Sequence, residues 1–340
     1  MAPKIFLTGG TGYIGGSVLH TLITAHPEYD ITVLLRKTPD AFTGTYPNVK
    51  IVQGDYDSAD ILSEEASKAD VVVHNGDSDH EPSLNALIKG LLTRPTPGYL
   101  LHLSGTGIVS DWSSPTHLGT LNPKIWSDIS DIPSISSLPD HALHRNTEKI
   151  LFSTAAQHAD SINIAIMCPP DIYGKGKGLG KTASVFAPLF INDVKATGLN
   201  RPFYYNEGTN TRSWVHIDDL MTLYLKVVEA AVANDSSFDW NAQGYYFAGT
   251  QEHSHISVVK AIGAILKKRG VIEDDEPVQV SLDQIDQTAK HPRFPMLGRY
   301  LYASNSRTRA QRAEKLFGYQ GKAPGLLESL EEDVLAALRI

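Results

Sequence analysis

The sequence predicts an α/β protein with a doubly wound parallel sheet and a smaller C-terminal lobe. Apolar runs typical of strands alternate with candidate helices through the first half of the chain, starting at Lys4-Ile5-Phe6-Leu7. A cluster of glycines follows that first run directly, which is typical of a strand, a tight turn and a helix. After residue 173 the alternation stops, which indicates a second and less regular lobe.

The composition indicates a soluble globular protein that does not bind nucleic acid. The 340 residues are 41% hydrophobic and 20% charged, and the formal net charge is −8. An acidic chain has no overall field to attract phosphate backbones. The apolar runs are short and Cys168 is the only cysteine, so we expect a cytoplasmic protein with no membrane partner. We expect a monomer or a homodimer.

The glycine cluster has the spacing of a dinucleotide-binding turn. Gly10, Gly12 and Gly15 lie between the first strand and a candidate helix, and a second strand follows at the distance expected of a βαβ unit. Glycines here permit a tight turn and a close approach of backbone to a pyrophosphate, which binds at the positive end of a helix. We therefore predict a Rossmann-type fold. The alternative is a glycine-rich turn that binds nothing. The predicted cofactor contacts in this turn are Gly9, Gly12, Tyr13, Ile14 and Gly15.

Two cations, Arg36 and Lys37, follow the second strand. Proteins that prefer NAD usually carry an acidic residue there, which binds the ribose hydroxyls. A cation suits a 2′-phosphate instead, because arginine can contact phosphate with two hydrogen bonds. The predicted cofactor is therefore NADP, with NAD possible. The alternative is a solvated basic pair on the surface.

Polar and glycine residues end the next two strands. Asp55 and Tyr56 follow the third strand, and Asn75 and Gly76 follow the fourth. The carboxyl ends of parallel strands face the ligand crevice. We expect Asp55 to accept a hydrogen bond from the adenine amino group, and Asn75 with Gly76 to bring backbone near the nicotinamide ribose. The same residue types are ordinary turn formers, which is the alternative.

The sixth strand, like the earlier ones, ends in residues that are predicted to contact the cofactor. The sixth strand, at 162–167, ends in a proline turn, so Pro169, Pro170 and Ile172 join the predicted cofactor contacts. Residues 1–170 are predicted to form the nucleotide-binding core, to which 205–250 return. The predicted substrate lobe comprises residues 171–204 and 251–340.

These motifs follow one another as they do in one large family. The ordered set is Thr8-Gly9-x-x-Gly12-x-x-Gly15, Gly54-Asp55, the strand ending at His74, Pro170-Asp171-Ile172-Tyr173-Gly174, Val215-His216-Ile217-Asp218-Asp219, and Ala313 to Tyr319. The whole chain resembles the extended branch of the short-chain dehydrogenase/reductase superfamily, and within it the atypical fungal members described as epimerase/dehydratase-like. The resemblance implies a nicotinamide cofactor and a small-molecule substrate, and it is less specific for the reaction.

The resemblance also implies a catalytic set. In the family, a Tyr and a Lys four residues later lie on the helix after the fifth strand, and a Ser or Thr ends that strand. Ser104 and Thr106 occupy the strand end, but Asp140 stands at the Tyr position and His144 at the Lys position. On one helix face, Asp140 and His144 would form an acid/base couple; the alternative is a capped helix start without chemistry.

Two further patterns are weaker. Tyr46 with Lys50, and Tyr173 with Lys177, have the same four-residue spacing but lie outside the expected helix. His141-x-x-His144 and His253-x-His255 lack a third ligand motif, so no metal is expected. Aromatic residues that could line an apolar substrate pocket, or equally form the core, are Trp112, Trp126, Phe186, Phe190, Phe203 and Trp214.

Three functions stay open on the sequence alone. The leading hypothesis is an NADP(H)-dependent oxidoreductase that acts on a carbonyl or hydroxyl of a small, hydrophobic organic molecule. The second is a lyase, isomerase or epimerase that uses Asp140, His144 or Thr106 without net redox. The third is a regulatory protein that senses the cofactor without turnover. Fold alone does not choose among them.

Overall fold

The computed structural model describes residues 2–289, 291–292 and 294–338. Its strands are β1 (Lys4–Thr8), β2 (Asp30–Leu35), β3 (Lys50–Gln53), β4 (Val71–His74), β5 (Gly98–Leu103), β6 (Trp126–Ser127), β7 (Ile162–Cys168), β8 (Asp171–Tyr173), β9 (Phe203–Tyr205), β10 (Thr211–His216), β11 (Tyr245–Phe247), β12 (Gln251–Ser254), β13 (Val278–Val280) and β14 (Thr308–Arg309). Its helices are α1 (Tyr13–Ala25), α2 (Phe42–Thr45), α3 (Ala59–Lys68), α4 (Glu81–Leu92), α5 (Ile132–Ile135), α6 (Arg145–Gln157), α7 (Phe186–Ala196), α8 (Ile217–Ala233), α9 (His255–Lys268), α10 (Leu282–Gln287), α11 (Leu297–Tyr302), α12 (Gln311–Phe317) and α13 (Leu326–Leu338).

Within the described residues, seven strands form one sheet in the order β3-β2-β1-β4-β5-β7-β11, and every neighbouring pair is parallel. The central strands are largely apolar, and β4 is buried at all four positions, because helices cover both faces of such a sheet. The strand order reverses between β1 and β4, and ligands bind at such a reversal. The predicted doubly wound α/β fold is confirmed.

The second lobe has smaller sheets and its own apolar core. Strand β10 pairs with β8 and β12, and β9 pairs with β13. Four of the aromatic residues considered for a substrate pocket lie in this core, so they pack the lobe: Phe186, Phe190, Phe203 and Trp214. No helix in the described part of the chain is long and apolar enough to cross a membrane.

The chain returns to the large sheet twice after leaving it. Helix α8 packs against α1, and β11 forms the edge of the large sheet beside β7. Near the end of the chain, Ala310, Ala313 and Tyr319 belong to the same buried cluster as that sheet. Helix α12 begins at Gln311, after Thr308 and Arg309 have paired with β6.

Candidate functional site

A groove of about 570 Å³ lies at the carboxyl ends of β1 to β4, where the strand order reverses. Eleven of the residues that line it come from the glycine-rich turn and from the ends of β2 and β3. The lining residues are Gly9, Gly10, Thr11, Gly12, Leu34, Leu35, Arg36, Lys37, Gly54, Asp55, Tyr56, Asn75, Gly76, Asp77 and Lys181.

The glycines of this turn are required by close backbone contacts. Gly9 has φ +76°, and a Cβ atom on it would lie 2.1 Å from the carbonyl oxygen of Asn75. A Cβ on Gly15 would lie 2.3 Å from the carbonyl oxygen of Gly9, so the helix can start this close to β1 only without a side chain. Gly12 is different: its Cβ would meet only the Gly9 oxygen, at 3.2 Å. Gly12 therefore keeps the approach to the turn open.

The N-terminus of α1 is suited to an anion. Gly12 is the N-cap, no side chain caps the helix, and the first turn contains no acidic residue. The first N–H groups of a helix have no partner inside the helix and carry partial positive charge. A phosphate group in the groove would supply the missing acceptors.

Asn75 adds a buried donor that has no partner among the described residues. Its Oδ1 accepts a hydrogen bond of 2.8 Å from the Tyr224 hydroxyl, which fixes the orientation of the amide. Its Nδ2 atom is buried and makes no hydrogen bond. A buried unpaired donor costs about 1–3 kcal/mol, so a ligand acceptor at this point would be stabilising. The groove therefore fits a phosphate-bearing ligand with further hydrogen-bond acceptors.

Charged side chains surround the far end of the groove. Arg36 and Lys37 are exposed and make no ion pair in the described part of the chain, and Gln53 donates a hydrogen bond of 2.5 Å to the Arg36 carbonyl. Asp55 accepts hydrogen bonds from the hydroxyl and the amide of its own turn, mainly from Ser58, which lowers the pKa of its carboxyl. Asp55 is thus an ionised acceptor, as an adenine amino group would need.

The remaining predicted cofactor residues do not line the groove: Tyr13, Ile14, Gly15, Pro169, Pro170 and Ile172. The Tyr13 hydroxyl donates a 2.6 Å hydrogen bond to the Gly174 carbonyl. The Pro169 carbonyl accepts from the Thr106 amide at 3.0 Å. These contacts tie the turn and the proline segment together, and a direct cofactor contact by this second set stays a prediction.

The expected Asp140–His144 couple is wrong. Helix α6 begins at Arg145, and His144 before it has φ +64°, a left-handed conformation that cannot continue a helix from Asp140. The two side chains therefore do not share a helix face. Asp140 is exposed and forms an ion pair of 2.8 Å with Lys149. Its carboxylate is a surface group rather than a partner of His144.

His144 has a different acidic partner. Its Nδ1 atom lies 2.8 Å from Oδ1 of Asp79, in the loop that follows β4. A Cβ atom on Gly105 would lie 3.0 Å from the His144 Nε2 atom, so the ring faces the strand end between Ser104 and Thr106. Burial lowers the pKa of His144, but the hydrogen bond and charge of Asp79 outweigh it and raise this pKa above its usual value.

Ser104 and Thr106 have separate environments. The Ser104 hydroxyl donates a 2.5 Å hydrogen bond to the buried carboxyl of Glu148, which also accepts from Tyr245 at 2.9 Å. Burial raises the pKa of Glu148 to about 7. Thr106 begins a short 3₁₀ turn, Thr106–Val109, and its carbonyl accepts from Ser306 at 2.7 Å. The Ser104 hydroxyl is therefore engaged by Glu148 at the start of α6, whereas the Thr106 hydroxyl makes no hydrogen bond among the described residues.

Aromatic side chains lie beside that 3₁₀ turn. A Cβ atom on Gly107 would lie 3.0 Å from Leu143 and 3.1 Å from the Tyr300 hydroxyl. The Tyr300 ring is 5.9 Å from the ring of Phe294, which in turn contacts Trp112 edge to face at 5.0 Å. Of the aromatic residues suggested by the sequence, Trp112 alone belongs to this group.

The two other Tyr/Lys spacings have structural roles. The Tyr173 hydroxyl donates a 2.8 Å hydrogen bond to the Pro324 carbonyl, and Lys177 forms an ion pair of 2.8 Å with Asp218. Tyr46 is buried against Phe42. Among the described residues, no group of three His, Cys, Asp or Glu side chains is arranged to hold a metal ion.

Sequence reasoning missed three residues of this region: Asp79, Glu148 and Lys181. Asp79 and Glu148 are brought to the end of β5 from other parts of the chain, and Lys181 is brought to the glycine-rich turn. No local pattern marks them. Residues 175–180 have the glycine and lysine content of a flexible linker, whereas each of their glycines packs closely against neighbouring residues.

A parallel sheet of this order, with a glycine-rich turn and an uncapped helix at the strand reversal, defines a Rossmann-type α/β protein. The model of the NAD dependent epimerase/dehydratase family matches residues 5–87 and 144–242. The chain belongs to this family, and the predicted membership of the extended short-chain dehydrogenase/reductase superfamily is confirmed.

Similar proteins have several activities. The oxidase ucsJ of Acremonium sp. is 30% identical over 345 residues, which cover 97% of this chain and 96% of the relative. The structure of dTDP-glucose 4,6-dehydratase from Bacillus anthracis in complex with NAD has a TM-score of 0.65 at 16% identity, over 99% and 97% of the two chains. UDP-glucose 4-epimerase with UDP-glucose from Thermotoga maritima has a TM-score of 0.62 at 17% identity, over 99% and 98%. At such identities the two structures establish the fold alone.

Proposed function

We propose that this protein is an NADP(H)-dependent oxidoreductase that acts on a carbonyl or hydroxyl group of a small, hydrophobic organic molecule. The observation that carries the proposal is the groove at the strand reversal, where a glycine cradle and an uncapped helix meet Arg36, a cation with no ion pair among the described residues. The oxidase that aligns with 97% of this chain supports a redox reaction.

Different residues of the groove would bind different parts of the cofactor. The first amides of α1 would bind the pyrophosphate, and Arg36 with Lys37 would bind the 2′-phosphate. Asp55 would accept from the adenine amino group, and the free Nδ2 of Asn75 would donate to an acceptor on the cofactor. When bound, the cofactor would supply or accept a hydride.

Thr106 and His144 would bind the substrate oxygen and transfer its proton. The Thr106 hydroxyl would hold that oxygen, and His144 would pass a proton to it or remove one. Asp79 holds the imidazole through Nδ1, which leaves Nε2 toward Gly105. Apolar and aromatic side chains beside Gly107, including Tyr300 and Leu143, favour a hydrophobic substrate over a highly charged one.

A non-redox lyase, isomerase or epimerase is the second candidate. It is favoured by the His144–Asp79 pair, which can move protons without a Tyr/Lys pair, and by the absence of any tyrosine from α6. The two candidates differ in one observable. Only an oxidoreductase changes the amount of reduced nicotinamide as substrate is consumed.

The test is a steady-state assay that follows the reduced-nicotinamide absorbance with a panel of hydrophobic ketones, aldehydes and alcohols. Thr106→Ala and His144→Ala should each lower turnover by roughly a hundredfold or more, with little change in cofactor affinity. Tyr173→Phe is the control, because its hydroxyl is bound to Pro324. Full turnover in the first two variants with collapse in the third would make Tyr173 the proton donor and refute the proposed site.

A further inference from the structure

A glycine-rich segment of the second lobe lies across the start of α1. We call residues 174–182 the strap; they connect β8 to the segment that leads into α7. Its glycines lie at positions 174, 176, 178 and 180, and residues with longer side chains lie between them. Glycine has no Cβ atom, so the strap backbone can approach a neighbouring element closely at these four positions.

Three of the strap glycines pack against α1 and the turn before it. A Cβ atom on Gly176 would lie 2.8 Å from the Tyr13 ring, and one on Gly178 would lie 2.7 Å from the Gly16 Cα. A Cβ on Gly180 would lie 2.0 Å from the carbonyl oxygen of Thr11. The strap can approach the turn this closely only without side chains at these positions.

Hydrogen bonds fix the strap along its length. The Tyr13 hydroxyl donates to the Gly174 carbonyl at 2.6 Å, and the Lys177 amide donates to the Ser17 hydroxyl at 3.0 Å. The Lys181 amide donates to the Thr11 carbonyl at 3.0 Å. Thr11 immediately precedes Gly12, the N-cap of α1, so Lys181 is attached beside the helix N-terminus.

The Lys181 side chain is a cation at this end of the groove. Lys181 lines the groove, is exposed, and makes no ion pair in the described ranges of the chain. Lys177, on the same strap, is instead paired with Asp218. The other lining cations, Arg36 and Lys37, follow β2 and were assigned to the 2′-phosphate. Lys181 is thus the groove cation that is fixed next to the amides of α1.

We propose that Lys181 binds the pyrophosphate of the dinucleotide, together with the N-terminal amides of α1. The inference rests on the proposed cofactor and deepens it. An ammonium group beside these amides adds a charge-assisted contact, which is stronger than a neutral hydrogen bond. Because the strap belongs to the second lobe, the contact also joins that lobe to the cofactor bound on the large sheet.

The test is calorimetric titration of NADPH, NADH, ADP and adenosine into the wild type, Lys181→Gln, Lys181→Arg and Lys175→Gln. Lys181→Gln should weaken NADPH, NADH and ADP by a similar factor of about ten, because all three carry the pyrophosphate. It should leave adenosine unchanged, and Lys181→Arg should retain most of the affinity. Lys175 is the matched control, since it is exposed on the same strap but does not line the groove.

Two results would overturn this assignment. Unchanged ADP binding by Lys181→Gln would place Lys181 away from the pyrophosphate, and a loss confined to NADPH would place it at the 2′-phosphate. If the wild type binds none of the dinucleotides, the proposed function itself fails. Tight binding by both the wild type and Lys181→Gln would contradict only the role of Lys181.

Discussion

The imidazole Nδ1 atom of His144 lies 2.8 Å from a carboxylate oxygen of Asp79, although 65 residues separate the two in the chain. The contact connects the start of α6 to the loop after β4, and the same loop contributes Asn75, Gly76 and Asp77 to the groove. The candidate proton-transfer residue and the candidate cofactor site therefore share one loop.

Asp79→Asn should lower the pKa of His144, because the variant loses the negative charge that offsets the burial of the imidazole. The pKa of His144 in the folded protein is raised, so the pair stabilises the fold fully below the unfolded pKa of about 6.5. This contribution is lost as the pH rises through the folded pKa. NMR titration of the His144 ring measures its pKa, and urea unfolding below and above that pKa measures the change in stability. A loss of stability in Asp79→Asn that does not change with pH would contradict an ionic pair.

The free energy of unfolding of Glu148→Gln should increase relative to that of the wild type as the pH rises. Burial raises the pKa of Glu148 to about 7, so between its unfolded pKa of about 4.3 and this value the folded state binds more protons than the unfolded state. Stability of the wild type falls across that window, by about 4 kcal/mol at most from this group. Glutamine keeps the acceptor for Ser104 and has no charge to bury.

Urea unfolding of both proteins across the window measures the difference. The buried carboxyl of Asp128, whose pKa burial raises to about 7, contributes equally to both proteins and cancels. A Glu148→Gln variant that loses stability equally at every pH would show that the carboxyl is not titrating in this range.

Gly12→Val and Gly15→Val should fail in different ways. A Cβ atom at position 12 would meet only the Gly9 carbonyl oxygen, at 3.2 Å, a tight contact that a shift of a few tenths of an ångström relieves, but the valine would occupy the approach to the helix amides. Gly12→Val should therefore fold and lose dinucleotide binding. Gly15→Val meets the Gly9 carbonyl at 2.3 Å and should lose stability as well. Thermal unfolding and fluorescence titration with NADPH separate the outcomes. Undiminished binding by Gly12→Val would make the turn purely structural.

The glycine-rich turn and the ends of β2 to β4 were predictable because each depends on a local pattern. A strand followed by closely spaced glycines has few folded solutions, and the parallel strands then bring Arg36, Asp55 and Asn75 to the same edge. Most of the residues that line the groove therefore lie in segments that the sequence identifies. Lys181 is the exception, since only the packing of Gly178 and Gly180 against α1 brings it there.

The candidate catalytic residues were less predictable, because their positions depend on a helix boundary and on distant contacts. Their spacing alone placed Asp140 and His144 on one helix face. Because His144 has a left-handed conformation, α6 begins only at Arg145. The true neighbour, Asp79, comes from another βα loop. Four aromatic candidates also proved to be core residues, because composition does not distinguish a pocket from a packed lobe.

The affinity of the protein for NADPH relative to NADH tests the central claim most directly. Calorimetric titration should give tighter binding of NADPH by about tenfold or more, since Arg36 gains a charge-assisted contact with the 2′-phosphate. Arg36→Ala should remove this preference and leave NADH binding nearly unchanged. Equal affinities in the wild type, or an Arg36→Ala variant that weakens both cofactors alike, would contradict the assignment of NADP(H).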